Sequence, residues 1–547
     1  MKKSKWLALA GVSLLSVGVL VACSSKSNTS SNTYNYVYTA DPETLDYLIS
    51  NKGSTTDAVT NGVDGLLEND KYGNLVPAIA KDWTVSADGL TYTYKLRKGV
   101  KWYTSDGEEY AEVTAKDFVT GLKHAADKKT ESIYLAKDSV VGLADYFNGT
   151  DKDFSKVGVK ALDDYTLQYT LKQPEPYWNS KMTYSLFWPV NEEFLKSKGD
   201  SFGKSTDPSS ILYNGPYILK SLTAKSSIEL AKNENYWDKK NVHFDGIKLS
   251  FYDASDQESL VRNFTDGAYS QARLYPTSSN FNSVEKQYKD NIFYTQPSAD
   301  IGGVGVNIDR QSYNHTSKKT DAEKDSTKKA LLNKDFRQSV NFAIDRTAYS
   351  AQLNGEKGAA LAVRNLLVKP DFVYAGDKSF GDLVTEKMAS YGDEWSGVNF
   401  KDSQDGIFNA NKAKAEFNKA KEALQADGVQ FPIHLDLPVD QAAKPTVARA
   451  QSLKQSVENT LGKENVVVDV HQMSQDDLLN STLYAANAAA EDWDINISVA
   501  WAPDYEDPST YLDIFKTTAS ENTKTYMGFD DPNNAAAAQV GLKDFDA

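Results

Sequence analysis

Hydrophobic and polar positions alternate most regularly over residues 411–501. Two stretches there carry apolar side chains at helical spacing and are followed by glycine, and three others have the pattern of strands. The helical patterns cover 413–424 and 450–461. The strand patterns cover 433–439, 466–470 and 493–501, so the first two strands each lie after a helix. Because helices connect the strands, we expect right-handed βαβ units and a parallel sheet, which places the chain in the α/β class.

Two capping signals predict where further helices begin. Thr114 and Asp117 have the spacing of a capping box, in which each residue satisfies a backbone N–H of the other. Ser474 and Asp477 repeat this spacing. We expect the helix after Ser474 to continue through the alanines near residue 489.

Other local patterns are simpler. Residues 91–96 alternate like a strand, and Gly303 and Gly305 fit a strand that packs closely against a neighbour. Residues 310–334 are so polar that they predict a surface insertion. Asp335 is the expected cap of the helix that follows this insertion.

The beginning of the chain predicts a secreted lipoprotein. Three lysines come first, and residues 6–22 are uncharged and mostly apolar, which is the pattern of a signal peptide. The run ends in Leu-Val-Ala-Cys at 20–23, which resembles the bacterial lipobox, and Cys23 is the only cysteine. We therefore expect residues 1–22 to be removed and Cys23 to be lipidated. Residues 23–34 would tether the body to the extracellular face of the cell membrane.

Composition and missing motifs exclude several classes of function. The formal net charge is −15, with no basic footprint of the kind that nucleic-acid binding needs. With one cysteine, and no two of the five histidines four residues apart, the sequence has no cysteine-ligated or paired-histidine metal motif. No nucleophile elbow, phosphate-binding loop or calcium-binding loop pattern occurs. We therefore predict no metal, no cofactor and no enzymatic activity.

The turn after the third predicted strand is the expected ligand position. In open α/β sheets, ligands bind beyond the carboxyl ends of the strands, and residues 503–508 at this edge are rich in carboxylates. The candidate cleft residues are Ala500, Trp501, Asp504 and Tyr505. Glu506 and Asp507 are weaker candidates. A purely structural role for Asp504, as a cap of the turn, stays open.

Several stretches resemble the oligopeptide-binding proteins of ABC transporters. They keep that family's order and approximate spacing across residues 35–547. The stretches are 83–119, 214–217, 235–237, 336–346 and 501–512. Together with the lipobox, they resemble the streptococcal lipoprotein branch of the family most.

The resemblance implies a periplasmic-binding-protein-like fold with two lobes, an extra domain and a two-stranded hinge. Short peptides would be enclosed between the lobes and passed to a membrane permease driven by ATPase subunits, and the protein would be a monomer. The first lobe would comprise 35–75 and 190–295, the extra domain 76–189, and the second lobe 296–547. In that family, the aspartate at the position of Asp504 pairs with the peptide's free α-amino group.

The family's chain returns to the first lobe after completing the second. Here the sequence stops at residue 547, soon after the motif that contains Asp504. We therefore expect the C-terminal return segment to be missing. Closure and stability of the lobes would then be weakened.

Two alternatives to a peptide receptor stay open. The first is a receptor for a non-peptide solute, such as an oligosaccharide or a metal chelate, on the same fold. A sugar needs no buried carboxylate at the position of Asp504, so this residue favours peptides. The second is an extracellular enzyme, adhesin or signalling lipoprotein. An adhesin would bind its partner even after loss of the cleft, and the missing catalytic motifs disfavour an enzyme.

Overall fold

The computed structural model describes residues 32–50, 52–293, 298–388 and 390–546. The predicted signal peptide, Cys23 and most of the tether lie outside these residues. Within them, no helix combines the length and apolar character that crossing a bilayer requires. We call residues 32–293 the first lobe and residues 298–546 the second lobe.

The described residues of the first lobe form twelve strands and eight α-helices. The strands are β1 (Thr33–Tyr38), β2 (Leu67–Asn69), β3 (Leu75–Pro77), β4 (Ala80–Val85), β5 (Thr91–Leu96), β6 (Lys101–Tyr103), β7 (Glu109–Glu112), β8 (Val159–Asp163), β9 (Thr166–Thr170), β10 (Tyr217–Thr223), β11 (Ser227–Lys232) and β12 (Gly246–Phe251). The helices are α1 (Gly53–Val59), α2 (Ala115–Asp127), α3 (Tyr134–Lys137), α4 (Leu143–Asn148), α5 (Trp178–Lys181), α6 (Glu192–Lys198), α7 (Glu258–Thr265) and α8 (Phe281–Tyr288).

Two four-stranded sheets organise this lobe. One has the strand order β1-β12-β11-β10, with β1 and β12 parallel and the other pairs antiparallel. The second is antiparallel, with the order β4-β5-β9-β8. One hydrophobic cluster joins residues of both sheets, so they share a core. The predicted strand at 91–96 is confirmed as β5.

Helix α2 begins as its capping signal predicts. Thr114 and Asp117 form the capping box, and the backbone N–H of Thr114 donates to Asp117 Oδ2 at 3.0 Å. Trp102 Nε1 donates to the same oxygen at 2.9 Å. Burial raises the pKa of Asp117 to about 6, against the opposing effect of these two hydrogen bonds. Asp117 therefore joins the start of α2 to the aromatic core, which is a structural role.

The second lobe contains six strands and ten helices among the described residues. The strands are β13 (Ile301–Val306), β14 (Tyr374–Ala375), β15 (Lys378–Ser379), β16 (Ile433–Asp440), β17 (Val466–Met473) and β18 (Ile495–Trp501). The helices are α9 (Asp321–Leu332), α10 (Lys334–Ala343), α11 (Arg346–Gly358), α12 (Phe380–Met388), α13 (Ala410–Ala426), α14 (Lys444–Leu461), α15 (Gln475–Ser481), α16 (Ser520–Met527), α17 (Ala535–Gln539) and α18 (Leu542–Asp546).

The βαβ prediction for this lobe is confirmed for its first unit. Strands β16 and β17 pair in parallel and are connected by α14, whose apolar face is buried in the core of the lobe. The third strand differs from the prediction, because β18 pairs antiparallel with β13. Strand β13 carries both predicted glycines, but only Gly305 is close-packed: a Cβ there would lie 3.1 Å from the backbone oxygen of Tyr526 in α16 and 3.2 Å from Val499 Cγ1 of β18, whereas a Cβ on Gly303 would meet nothing within 4 Å. Close packing therefore explains the glycine at 305 and not the one at 303.

Three local predictions need correction. The helix after Ser474 does not continue to residue 489 but ends at Ser481, where Thr482 adopts non-helical dihedral angles. The alanines farther along form only a short 3₁₀ turn at Ala488–Ala490. Asn333, rather than Asp335, caps α10, and its side chain accepts from the backbone N–H of Phe336. The stretch 310–334 is not a surface insertion, because it contributes two buried cations to the core of the second lobe.

Candidate functional site

A cavity of about 490 Å³ lies between the two lobes. This volume falls in the range of roughly 300–1,000 Å³ that ligand pockets usually have. Side chains from both lobes line it, including Tyr47, Tyr134, Trp188, Ala500, Trp501 and Asp504. Three of the four predicted cleft residues therefore lie on one cavity, where β18 ends.

Asp504 follows β18 and presents its carboxylate at the boundary between the lobes. Its Oδ2 accepts a hydrogen bond from the hydroxyl of Tyr134 at 2.6 Å, a contact that spans 370 positions of sequence. Burial raises the pKa of Asp504 to about 6, opposed by this hydrogen bond and by the charge of Lys181. No lysine, arginine or histidine in the described parts of the chain forms an ion pair with it. A half-buried carboxylate with a raised pKa in this position favours a cationic ligand group.

The turn that follows is capped by a different aspartate. Asp507 caps the 3₁₀ turn Pro508–Tyr511, and its Oδ1 accepts from the backbone N–H of Ser509 at 3.0 Å. The backbone N–H of Asp504 donates to Thr510 Oγ1 at 2.6 Å, but the carboxylate of Asp504 is directed to Tyr134. Asp507 thus caps the turn that follows it, and the hydrogen bond found for the Asp504 carboxylate is with a side chain of the other lobe rather than with a backbone N–H of the turn.

Tyr505 does not line the cavity, which corrects its assignment as a cleft residue. Its ring is buried and stacks on Tyr177, with centroids 5.1 Å apart. Its hydroxyl donates to Asp513, and Lys181 Nζ lies 4.5 Å from the ring centroid. The side chain of Asp504 faces the cavity, and the adjacent side chain of Tyr505 points to the opposite side of the chain. There it packs into the hydrophobic core of the first lobe.

Trp501 and Ala500 form part of the cavity wall on the second lobe. The ring of Trp501 packs against Phe515 and Tyr526, with centroid distances of 5.5 Å and 5.2 Å. Ala500 is paired with Gly302 of β13, so its position is fixed by the sheet. Ring packing and strand pairing therefore position the wall where it adjoins Asp504.

The first-lobe wall was not found from the sequence. Tyr134 comes from α3, and Trp188 follows a short 3₁₀ turn at Ser185–Phe187. Neither residue has a local motif that points to a ligand. These residues and Asp504 line the same cavity only in the folded structure, where the two lobes lie side by side. The hydrogen bond between Tyr134 and Asp504 therefore could not be found from local sequence.

Further contacts hold the lobes together beside the cavity. Ser54 and Tyr484 hydroxyls lie 3.1 Å apart, and Lys225 forms an ion pair with Asp476 at 2.7 Å. Both contacts join the first lobe to the segment around α15. Together with the Tyr134–Asp504 hydrogen bond, these contacts join the two lobes around the cavity.

The described residues contain no group of three or more histidine, cysteine, aspartate or glutamate side chains that could hold a metal ion. Other carboxylates near the resembling motifs have structural partners. Asp64, for example, accepts hydrogen bonds from Tyr236 at 2.8 Å and from Trp237 Nε1 at 3.1 Å. Its backbone N–H donates to Asn214 Oδ1 at 2.7 Å. These motif residues thus fix the packing of the first lobe.

Comparison with known proteins identifies the family. The family model described as bacterial extracellular solute-binding proteins, family 5 Middle, matches residues 74–523. The chain is 70% identical to the oligopeptide-binding protein AmiA of Streptococcus pneumoniae over 100% of its own length and 83% of that protein. It is 63% identical to the oligopeptide-binding protein SarA of Streptococcus gordonii, with the same coverage of 100% and 83%.

Solved structures agree on the architecture. The substrate-binding domain of an oligopeptide ABC transporter from Bacillus anthracis superimposes with a TM-score of 0.70 at 25% identity, covering 91% of this chain and 84% of that one. Listeria monocytogenes OppA bound to peptide gives a TM-score of 0.70 at 24% identity, covering 94% and 91%. The two-lobed fold that the sequence predicts is confirmed. The chain belongs to family 5 of the bacterial extracellular solute-binding proteins, in the group of the streptococcal oligopeptide-binding proteins.

Proposed function

We propose that this chain is the extracellular solute-binding subunit of an ABC importer and captures oligopeptides between its lobes. The observation that carries the proposal is the cavity between the lobes, with the half-buried carboxylate of Asp504 at its wall. The names of the relatives, which are oligopeptide-binding proteins, support the same ligand class. The loaded protein would deliver the peptide to a membrane permease driven by ATPase subunits.

In this proposal, Asp504 receives the α-ammonium group of the peptide. A carboxylate whose charge is disfavoured by burial gains most from a cation placed against it. Tyr134 donates to one carboxylate oxygen and so orients the group from the opposite lobe. The aromatic wall at Trp501 excludes water beside the pair, which strengthens the electrostatic attraction.

The test is calorimetric titration of protein that has been unfolded and refolded to remove any ligand acquired during expression. Alanine-based hexapeptides with free termini are titrated first, and maltohexaose serves as the sugar control. We expect saturable binding of the peptides and none of the sugar. Binding of the sugar, or of neither probe, would contradict the proposal.

We also propose that bound peptides are released chemically unchanged, since the described residues that line the cavity include no histidine or cysteine to act as base or nucleophile in acyl transfer. Mass spectrometry of peptides recovered after prolonged incubation with pure protein should show only the starting mass. Fragments that accumulate in proportion to protein concentration would indicate an enzyme.

Peptide affinity should depend on pH with a maximum near neutrality. The pKa of Asp504 is raised to about 6, so its carboxylate is charged above that pH and becomes neutral below it. The α-ammonium of a peptide loses its proton above about pH 8. Affinity should therefore fall by up to about tenfold per pH unit on either side of the range from 6 to 8. Calorimetry from pH 5 to 9 measures this, and an N-acetylated peptide provides the control, because it lacks the amine that titrates. A flat profile for the free-amine peptide would contradict the assignment.

Cys23 lies outside the described residues, and its lipidation is part of the proposal. The lipobox-like sequence ending at Cys23 supports a diacylglyceryl anchor on this residue. The two acyl chains of such an anchor would hold the protein stably on the membrane. In cells, Cys23→Ala should move a large fraction of the protein from the membrane to the medium. Mass spectrometry of the mature N-terminus should find lipid on Cys23 in the wild type. An unmodified Cys23, or unchanged membrane retention of the variant, would exclude the anchor.

The division of the folded body stays part of the proposal as well. Residues 35–75 and 190–295 would form the core of the first lobe, and 76–189 an extra domain packed on it. The separate sheets β1-β12-β11-β10 and β4-β5-β9-β8 support that division. A monomer is expected in solution.

A further inference from the structure

Three consecutive residues of the second lobe, beginning with Asp504, each contact the first lobe. The carboxylate of Asp504 accepts from Tyr134, and the backbone N–H of Glu506 donates to Ser180 Oγ at 3.2 Å. Between them, Tyr505 is only 4% exposed and belongs to the hydrophobic cluster of the first lobe. In the part of the chain that the structure describes, all other buried members of that cluster come from the first lobe itself. A side chain of the second lobe is therefore buried in the core of the first, beside the carboxylate that faces the cavity.

Tyr177 and Lys181, at the two ends of α5, form the socket that receives Tyr505. The rings of Tyr177 and Tyr505 are stacked, with centroids 5.1 Å apart and planes inclined by 18°. Lys181 is buried and pairs with Glu175 at 2.9 Å, and its Nζ lies 4.5 Å from the centroid of the Tyr505 ring, a cation–π contact. The hydroxyl of Tyr505 donates to Asp513 on its own lobe. Tyr505 thus contacts the second lobe through its hydroxyl and the first lobe through its ring.

Lys181 connects this socket to the helix that contacts Asp504. Its Nζ donates to the backbone oxygen of Leu135 at 3.1 Å, and Leu135 follows Tyr134 in α3. One series of contacts therefore runs from Tyr505 through Lys181 to α3. The hydroxyl of Tyr134 then leads from α3 back to Asp504, at 2.6 Å. Because Asp504 and Tyr505 are adjacent in the chain, the seat of the tyrosine ring and the position of the carboxylate are coupled.

We infer that Tyr505 is a positioning residue, whose seat against Tyr177 and Lys181 holds the carboxylate of Asp504 where it receives the ammonium group of the peptide. This inference rests on the proposed peptide-binding function. Tyr505 and the two socket residues are not among the described residues that line the cavity, so their effect reaches the peptide through Asp504. A displaced carboxylate weakens the binding of peptides with a free amine, but has little effect on peptides that lack the amine.

The experiment changes the socket first, because Tyr177 is half-buried and tolerates replacement better than the fully buried Tyr505. Tyr177→Leu removes the stacked ring, and Tyr177→Phe keeps it. The matched control is Phe336→Leu, which removes a buried ring from the core of the second lobe, where its aromatic neighbour is Phe417 with centroids 6.4 Å apart. Calorimetry on refolded, ligand-free protein measures an alanine-based hexapeptide with a free amine and its N-acetylated counterpart. Urea unfolding of each variant measures its stability.

Tyr177→Leu should weaken the binding of the free-amine peptide about tenfold, because the stacked pair that seats Tyr505 is lost. Binding of the acetylated peptide should weaken by less than about threefold, so the preference for the free amine shrinks. Tyr177→Phe should keep the preference within about twofold of the wild type, since the ring is retained. Phe336→Leu should lower the urea midpoint and leave the preference unchanged, which separates positioning from stability.

A preference that Tyr177→Leu retains in full, or an equal loss for both peptides, would overturn the inference, because the stack would then only hold the lobes together. If Tyr177→Leu does not fold, Tyr505→Phe takes its place. It keeps the ring and loses the bond to Asp513, so the preference should fall about threefold, and an unchanged preference would overturn the inference in the same way.

The wild type separates this result from a failure of the proposed function. If it binds the free-amine peptide with a clear preference and the variants keep that preference, only the positioning role is wrong. If it binds neither peptide, the proposed function fails. If it binds both peptides equally, the role of Asp504 as the amine site fails, and the positioning role fails with it.

Discussion

Asp504→Asn is expected to weaken the binding of free-amine peptides about a hundredfold. Removal of one partner of a buried charge pair typically costs about 3 kcal/mol or more, because the other charge is left without compensation. That energy corresponds to roughly a hundredfold in the dissociation constant. Asparagine keeps the size of the side chain and an oxygen that can accept from Tyr134, so the contact between the lobes at 2.6 Å can persist.

The decisive measurement combines this substitution with N-acetylation of the peptide. Acetylation removes the ammonium charge, so wild-type protein should bind the acetylated peptide poorly. Asp504→Asn should then cause little further loss with that peptide. Calorimetry on the four combinations forms a double-mutant cycle, whose interaction energy should approach the whole effect of either change.

Glu506→Gln is the matched control for this cycle. It removes the same charge two positions away, from an exposed side chain, and should change affinity by no more than about twofold. If the losses from acetylation and from Asp504→Asn simply add, the two groups do not meet. A large loss in Glu506→Gln would mean that general charge, rather than a local pair, controls binding.

The sequence predicted the second lobe best where helices and strands are amphipathic. The apolar stripes of α13 and α14 and the strands β16 and β17 follow directly from local periodicity, because each element buries one face in the same core. The orientation of β18 could not be predicted in this way. Its partner β13 is nearly 200 positions earlier in the chain, and periodicity does not specify which strand pairs with which.

Only the second-lobe residues of the candidate site could be predicted from the sequence. The position of Asp504 after a strand follows from the general location of ligands at strand ends. Tyr134 was missed, because a tyrosine in a short helix carries no local sign that a second lobe will bring a carboxylate to it. Tyr505 was assigned to the cleft from its position in sequence, but adjacent side chains point to different sides of the chain.

The polar stretch 310–334 was wrongly predicted to be a surface insertion, because contacts between residues far apart in sequence are not visible in a local pattern. Charged side chains such as those of Arg310 and Lys318 usually lie at the surface in water. Both are buried, because carboxylates more than a hundred positions later in the chain lie within hydrogen-bond distance. Charged residues are buried when they are paired, and a single-sequence pattern does not reveal such pairs.

These pairs lead to the second large prediction: Asp436→Asn should destabilise the second lobe by about 3–5 kcal/mol. Asp436 Oδ2 accepts from Arg310, Lys318 and Thr316, each at 2.7 Å. Its Oδ1 accepts from the backbone N–H of Ser317 at 3.1 Å and lies 2.8 Å from His471 Nε2. An asparagine side chain would place an N–H₂ group against several of these donors and would remove the charge that compensates two buried cations.

The pKa of Asp436 identifies the pH range in which this contribution acts. Burial opposes ionisation, but the hydrogen bond with His471 and the charges of Lys318 and Arg310 outweigh it and hold the pKa well below its usual value. A depressed pKa stabilises the fold fully above the unfolded value of about 4, and the contribution is lost as the pH falls below it. The difference between wild type and Asp436→Asn should therefore be largest near neutral pH and shrink towards pH 2.

Urea unfolding, followed by circular dichroism at several pH values, measures this difference. Asp321→Asn is the matched control, because it removes a fully exposed carboxylate that pairs with Lys324 on the same lobe. That change should cost less than about 0.5 kcal/mol. Equal midpoints for wild type and Asp436→Asn at pH 7 would show that the buried cations find other compensation, from Asp492 and Asp494 beside them. A difference that grows as the pH falls would contradict the depressed pKa.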